Sequence, residues 1–210
     1  MEKVSNILSY FRQELFTVAD EREITSWYYI SMKYLLAYNH SDCIINSHQV
    51  LNKSQLSKIK QIVAELKTHK PIQYIFGKTE FYGLKIKVNE HTLIPRPETE
   101  QLVDWILKEN FVTALDIGTG SGNIPISLAV NLPESKIISI DVSAEAIKIA
   151  EQNRELHDLK SRVGFIKSDI LIDNLEKYNS TYSDIGLAQS KKWPSGTLCI
   201  TIAANIAKTG

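Results

Sequence analysis

Cysteine is scarce in this chain. Cys43 and Cys199 are its only two in 210 residues and stand far apart, which argues against a disulfide scaffold. No run of 18 apolar residues occurs, so no segment is expected to span a membrane. The opening stretch, MEKVSNILSYFRQELF, carries charges inside its apolar pattern, which the apolar core of a signal peptide would lack. Excess charge of either sign is missing too: 24 Lys+Arg balance 24 Asp+Glu. A protein held to nucleic acid mainly by neutralising phosphates would be basic, so no direct nucleic-acid contact is expected, although a local basic patch stays open. Internal repeats and low-complexity tracts are absent. What remains is a cytoplasmic globular chain whose 43% apolar content suffices for a core and whose length suits one domain or two small ones.

Glycine and proline are absent from residues 1–70, and apolar residues there recur at helical spacing. Val4, Ile7, Leu8, Phe11 and Leu15 share one helix face; Ile24, Trp27, Tyr28, Met32 and Leu35 share the next. Trp27, Tyr28 and Tyr29 read as core packing rather than a partner surface. Ser54 is the expected N-cap of a third helix with Leu56, Ile59, Ile62, Val63 and Leu66 inward. Lys53, Lys58, Lys60, Lys67 and Lys70 read as a solvated face. A small helical bundle is the expectation for residues 1–70.

The texture changes at Pro71. Thr79 to Val88 alternates as a strand pair around a turn at Phe81-Tyr82-Gly83, and Pro97 suits the first position of a helix carrying Leu102, Val103, Ile106 and Leu107. Asp104 and Glu109 read as polar surface of that helix. Residues 71–110 thus form a β-hairpin and linker helix. A strand–helix series follows: strand Val112–Ile117, helix Asn123–Val130, strand Lys136–Ile140 ending at Asp141, a helix capped by Ser143 with Ala146, Ile147 and Ala150 inward, and strand Arg162–Ile166. Strands alternating with helices at this spacing imply an α/β fold with a parallel sheet and right-handed crossovers. Trp193-Pro194-Ser195-Gly196 reads as a turn, after which Leu198, Ile200 and Ile202 alternate as one more strand with no evident place in the sheet.

Between the first parallel strand and its helix lies Asp116-Ile117-Gly118-Thr119-Gly120-Ser121-Gly122. Glycines at alternate positions remove β-carbons where the chain turns and let a ligand approach the backbone. Asp141 ends the second strand, where a carboxylate can accept from two ribose hydroxyls, and Asp169 lies at the end of the third, near where an adenine amino group would sit. Dinucleotide loops favour G-x-G-x-x-G; here the spacing is G-x-G-x-G, and the acid Asp116 beside it sits badly with phosphates. That acid suits the ammonium of an aminoacyl group, as in S-adenosylmethionine. An NAD-dependent dehydrogenase is a weaker alternative. His40, His48, His69, His91 and His157 show no metal-ligand spacing, and no metal is expected. Arg96, between two prolines, either orients a substrate or cofactor carboxylate or pairs with Glu98 or Glu100 as a clasp.

Pro71-Ile72-Gln73-Tyr74-Ile75-Phe76-Gly77, Phe81-Tyr82-Gly83, Leu93-Ile94-Pro95-Arg96-Pro97-Glu98-Thr99-Glu100 and Leu115-Asp116-Ile117-Gly118-Thr119-Gly120-Ser121-Gly122 together resemble the peptide chain release factor glutamine methyltransferases, the PrmC/HemK family, over about residues 1–185. The resemblance implies a class I, Rossmann-like methyltransferase sheet. It implies S-adenosylmethionine held by Asp116, Gly118, Thr119, Gly120, Ser121, Gly122 and Asp141, with Asp169 or Ile170 near the adenine. It also implies residues 1–70 as the module that receives a release factor, and Arg96, on the reading above, is the candidate substrate-binding residue.

The family methylates a glutamine side-chain amide in a Gly-Gly-Gln loop. It uses an Asn-Pro-Pro-Tyr motif after the fourth strand, whose Asn side chain and a Pro carbonyl accept the amide hydrogens and aim the nitrogen. Tyr182-Ser183-Asp184-Ile185 looks like the start of that strand, but Ala188-Gln189-Ser190-Lys191 stands where the motif should begin, and the chain contains no Asn-Pro pair. Residues 111–185 are therefore expected to be a partial S-adenosylmethionine-binding domain. Residues 186–210 form a divergent tail similar to the DNA-specificity subunits of type I restriction systems. Strand–helix–strand units of about 30 residues leave room for about three after Val112, a truncated sheet. The expectation is a chain that binds the donor weakly, if at all, and has no catalytic residue of its own. A nucleic-acid amino-methyltransferase and a non-catalytic release-factor-binding module are the alternatives.

Overall fold

The structure, a computed structural model, describes residues 2–109, 111–169 and 197–201. The chain divides into two compact units, residues 1–76 and 77–210.

The first unit is helical: α1 (Val4–Leu15), α2 (Glu21–Leu36), α3 (His40–Ile45), α4 (Lys53–Leu66) and α5 (Ile72–Phe76). Its core follows the expected stripes. Val4, Ile7, Phe11 and Leu15 of α1 meet Ile24, Tyr28 and Met32 of α2 and Ile59, Ile62, Val63 and Leu66 of α4. Phe11 and Tyr28 pack edge to face, ring centroids 6.0 Å apart, and Trp27 and Tyr29 are half-buried against the same core. In the lysine face, Lys67 pairs with Glu14 at 2.5 Å and Lys70 with Glu65 at 2.7 Å, so those two are engaged within the unit.

Two features depart from the sequence reading. The short helix α3, six residues, was not expected; Asn39 accepts from the Asp42 N–H while the Asp42 carboxylate accepts from the Asn39 N–H, a reciprocal cap that holds it. Nor is Ser54 the cap of α4. That helix begins at Lys53, and Asn52 caps it by accepting from the Gln55 N–H at 2.9 Å while Gln55 returns a bond to the Asn52 N–H. The reciprocal Asn-x-x-Gln box satisfies two terminal donors, which a serine already inside the first turn could not.

The second unit opens with a hairpin, β1 (Lys78–Phe81) and β2 (Leu84–Lys87), whose two-residue turn is Tyr82-Gly83, both with positive φ. An isolated hairpin is marginal, and this one is anchored: Phe81, Ile86 and Val88 are buried, and Glu100 of α6 (Pro97–Ile106) accepts from the Tyr82 N–H at 2.8 Å. Asp104, expected to be plain helix surface, accepts from the Tyr82 hydroxyl instead. Pro97 is the first residue of α6, as its fixed φ favours.

The parallel sheet then assembles from β3 (Thr113–Ile117), α7 (Asn123–Asn131), β4 (Lys136–Asp141), α8 (Ala144–Leu156) and β5 (Val163–Lys167). Ser143 caps α8 by accepting from the Ala146 N–H, and Ala146, Ile147 and Ala150 face inward. The tail strand finds its place as β6 (Thr197–Thr201), parallel to β3, so the sheet order is β5-β4-β3-β6. The expected fourth-strand start at Tyr182–Ile185 and the turn at Trp193–Gly196 lie outside the described residues. Among the described residues no helix is long and apolar enough to cross a membrane.

The cap assignment is testable by chemical denaturation. Asn52→Ala should destabilise the helical unit by about 1 kcal/mol, and Ser54→Ala should change it by less than about 0.5 kcal/mol.

Candidate functional site

Parallel strands end at one edge, and here that edge gathers the acids. Asp116 stands one residue before the end of β3, Asp141 ends β4, and Asp169 lies two residues past the end of β5. β4 lies between β3 and β5, so the three fall on adjacent strands in the order predicted for an adenosine cofactor.

The loop after β3 is bound to β4 by its own backbone. Gly118 N–H and Thr119 N–H both donate to the Ile140 carbonyl, at 2.8 and 3.1 Å, and Gly122 N–H closes a turn on the Thr119 carbonyl at 2.9 Å. Asp141 completes the arrangement: Oδ2 accepts from the Gly120 N–H at 2.8 Å and Oδ1 from the Ser143 N–H at 2.9 Å. Gly118, Gly120 and Gly122 have φ of +82°, +55° and +77°, the left-handed region that side chains resist. The last two differ in what surrounds them. A β-carbon on Gly122 would come within 3.1 Å of Ala150 Cβ and Phe165 Cζ, so this glycine permits the loop to pack on α8 and β5. A β-carbon on Gly120 would meet nothing within 4 Å; this glycine faces open space, the side from which a ligand can reach the backbone. The Ser121 hydroxyl turns to Asn123 Oδ1 at 3.1 Å, leaving that residue's contribution to its backbone.

Beneath the loop the polar groups are incompletely matched. Asp116 is 2% exposed and faces Ser139 across the β3–β4 register, with Thr119 above it. Asp116 Oδ2, Thr119 Oγ1 and Ser139 Oγ are all buried; the two hydroxyls face the carboxylate closely enough to favour its charged form, although no bond among the three reaches full geometry. Burial pushes the Asp116 carboxyl up to about 6 from its ordinary 3.8; the Thr119 and Ser139 hydroxyls pull it down, and the Asp141 charge raises it again. A buried carboxylate with two hydroxyls as its only polar support keeps unmet acceptor capacity and fits a cationic head group such as an ammonium.

The remaining predicted residues are placed as follows. Asp169 is half-buried, and the neighbouring Ser168 N–H donates to the Asp141 carbonyl at 3.0 Å, tying the ends of β4 and β5 together. Ile170 lies outside the described residues. Arg96 is exposed and precedes α6. Of the two alternatives for Arg96, the clasp is not seen with either Glu98 or Glu100; Glu100 accepts from the Tyr82 N–H. Ser139 and Asn153, both buried at the site, were missed by the sequence reading; the alternation of β4 could have pointed to Ser139, since it pairs directly with Asp116. Among the described residues no group of three or more His, Cys, Asp or Glu could hold a metal ion.

The PrmC N-terminal domain family matches residues 6–77, and the methyltransferase domain family matches residues 108–193. A release factor glutamine methyltransferase from Flavobacterium psychrophilum is 43% identical over 80% of this chain and 61% of its own length. Those of Streptococcus pneumoniae and Bacteroides thetaiotaomicron are 39% and 37% identical, over 87% and 80% of this chain and 65% and 60% of theirs. Along both matched parts the chain is similar to release factor glutamine methyltransferases. It spans about three-fifths of the length of these relatives. The PrmC N-terminal match ends at residue 77 and the first compact unit at Phe76, while the methyltransferase match falls inside the second unit.

Asp116 gives the site a measurable signature. Folded and unfolded chains both hold the proton below about pH 4, the unfolded aspartate value. As pH climbs from there through about 6 the unfolded chain alone loses it, and burial lowers stability by on the order of 3 kcal/mol above that range. Asp116→Asn should remove this dependence. Its thermal midpoint should match that of the parent near pH 4 and exceed it above pH 6, while ligand binding at the site weakens.

Proposed function

We propose that this cytoplasmic chain binds S-adenosylmethionine at the C-terminal edge of its parallel sheet and engages a peptide chain release factor through its helical unit. In these 210 residues it does so without transferring the methyl group to the glutamine amide of the Gly-Gly-Gln loop. The observation that supports the donor half of this reading is the buried Asp116 carboxylate, held charged only by the Thr119 and Ser139 hydroxyls, under a loop whose Gly120 is open.

In this reading the donor's ammonium lies toward Asp116, its ribose hydroxyls take the acceptor capacity left on Asp141, and the adenine lies near Asp169. Asp141 has two oxygens with about four acceptor positions, two of them used by Gly120 and Ser143, so it can hold the loop and a ribose together. The bound sulfonium supplies an electrophilic methyl group. What the chain's own residues do is hold the donor, position it against the glycine backbone and balance its charge. In the same reading Arg96, exposed and directly before α6, meets a carboxylate of the protein substrate.

The step that remains is aiming the amide nitrogen, whose lone pair is conjugated with its carbonyl. That requires acceptors fixed on both amide hydrogens. The family's Asn-Pro-Pro-Tyr supplies them, and no Asn-Pro pair occurs in this chain. Without that segment the donor is held weakly and the substrate amide is not oriented. The intact helical core and the match of residues 6–77 to the PrmC N-terminal domain favour release-factor retention as the activity that survives. The nucleic-acid amino-methyltransferase alternative has no such support.

Two measurements on the purified chain test this. Titration calorimetry with S-adenosylhomocysteine should give weak saturable binding that Asp116→Asn diminishes. Incubation with release factor and methyl-labelled donor should retain the factor in a pull-down while the label stays on the donor. Transfer of label to the factor well above background would refute the reading, as would failure to retain it.

A further inference from the structure

The buried amide of Asn153 is not explained by the donor site or by the core. It lies on α8, 0% exposed, among apolar neighbours. A buried asparagine is tolerated only when its hydrogen-bonding capacity is met, and here it is met by two separate pieces of backbone. Asn153 Oδ1 accepts from the Lys87 N–H at 2.6 Å, and Nδ2 donates to the Lys87 carbonyl at 2.9 Å. The side chain thus pairs with the end of β2 as a neighbouring strand would. The second Nδ2 proton goes to the Ser121 carbonyl at 2.9 Å, in the middle of the glycine loop. Because the Lys87 N–H needs an acceptor and the two carbonyls need donors, one orientation of the amide satisfies all three.

We infer that Asn153 is a positioning residue that couples the β1–β2 hairpin to the glycine loop, so that the loop takes its donor-ready form only while the hairpin is seated. Asp141 holds the loop from the open side through Gly120, and Asn153 holds the opposite side through the next residue's carbonyl. Between them the Gly120–Ser121 segment has no independent freedom. The hairpin is in turn held at its tip by Glu100 and Asp104 through Tyr82, whose positive φ is costly for an aromatic residue. Displacing the hairpin, by mutation or by a partner that grips it, pulls on Lys87, and through Asn153 on the loop.

The test exploits neighbours that grip the same strand without touching the loop. His157 Nε2 lies 2.9 Å from the Lys85 carbonyl, and Gln152 Oε1 accepts from Lys87 Nζ at 3.4 Å. Asn153→Asp keeps the size and the acceptor toward Lys87 N–H but replaces both donors by a carboxylate facing two carbonyls. At a temperature where circular dichroism shows each variant folded, S-adenosylhomocysteine affinity should fall roughly tenfold in Asn153→Asp, the equivalent of one buried hydrogen bond. It should change less than about twofold in His157→Ala and Gln152→Ala. Parent-like affinity in Asn153→Asp overturns the inference, and so does an equal loss in His157→Ala.

The parent chain gives a readout that needs no variant to fold. Ligand should slow amide exchange at Lys87 more than at Val88, whose N–H is bonded to the Gly77 carbonyl within the hairpin region; equal slowing overturns the coupling. The affinity arm rests on the donor-site reading. If the parent binds no S-adenosylhomocysteine, that reading fails alone. Exchange at Gly120 and Gly122 in the ligand-free variants then decides the loop role: faster in Asn153→Asp than in His157→Ala upholds it, equal rates overturn it.

Discussion

The bond from the Gly120 N–H to the Asp141 carboxylate, 2.8 Å, is the contact on which the site depends. It exists because β3 and β4 run parallel in a fixed register, so the loop leaving one strand meets the residue that ends the next. A parallel sheet delivers all its strand ends to one edge, and that topology brings together three carboxylates widely separated in sequence. The same carboxylate also accepts from Ser143, so the start of α8 is set by the residue that sets the loop. A shift of one position in the β3–β4 register would leave Asp116 and Ser139 on opposite faces and dissolve the site.

Much of this was legible because its signals are local. Pro97 opens α6, Ser143 caps α8 and the glycines mark the loop through chemistry confined to a few residues. The helical stripes of α1, α2 and α4 were legible because burial on one face imposes a period. Asn52 was overlooked for Ser54 although its signal, an Asn followed three residues later by Gln, was present. Helix α3 is too short to show a period, and its reciprocal Asn39–Asp42 cap is its only sequence mark.

The features that escaped are those whose partners are distant along the chain. Asn153 falls at helical spacing on the inward face marked by Ala146 and Ala150, but nothing along the sequence names its partners, Lys87 and Ser121. Glu100 and Asp104 read as helix surface or as partners for Arg96 until the hairpin turn is seen to rest on them. The strand at Thr197–Thr201 was recognisable by alternation, but only the assembled sheet places it beside β3. The site's chemistry is thus written locally and its support non-locally. Asp116, buried under the loop, costs stability when it carries its charge.

The central claim is that the edge of this sheet is a working donor site even where the chemistry of transfer is lacking. Amide chemical-shift mapping on adding S-adenosylhomocysteine tests it most directly. Shifts concentrated at Gly118–Gly122, Asp141–Ser143 and Asp169 are the predicted result. No saturable shifts, or shifts gathered away from the strand ends, would contradict it.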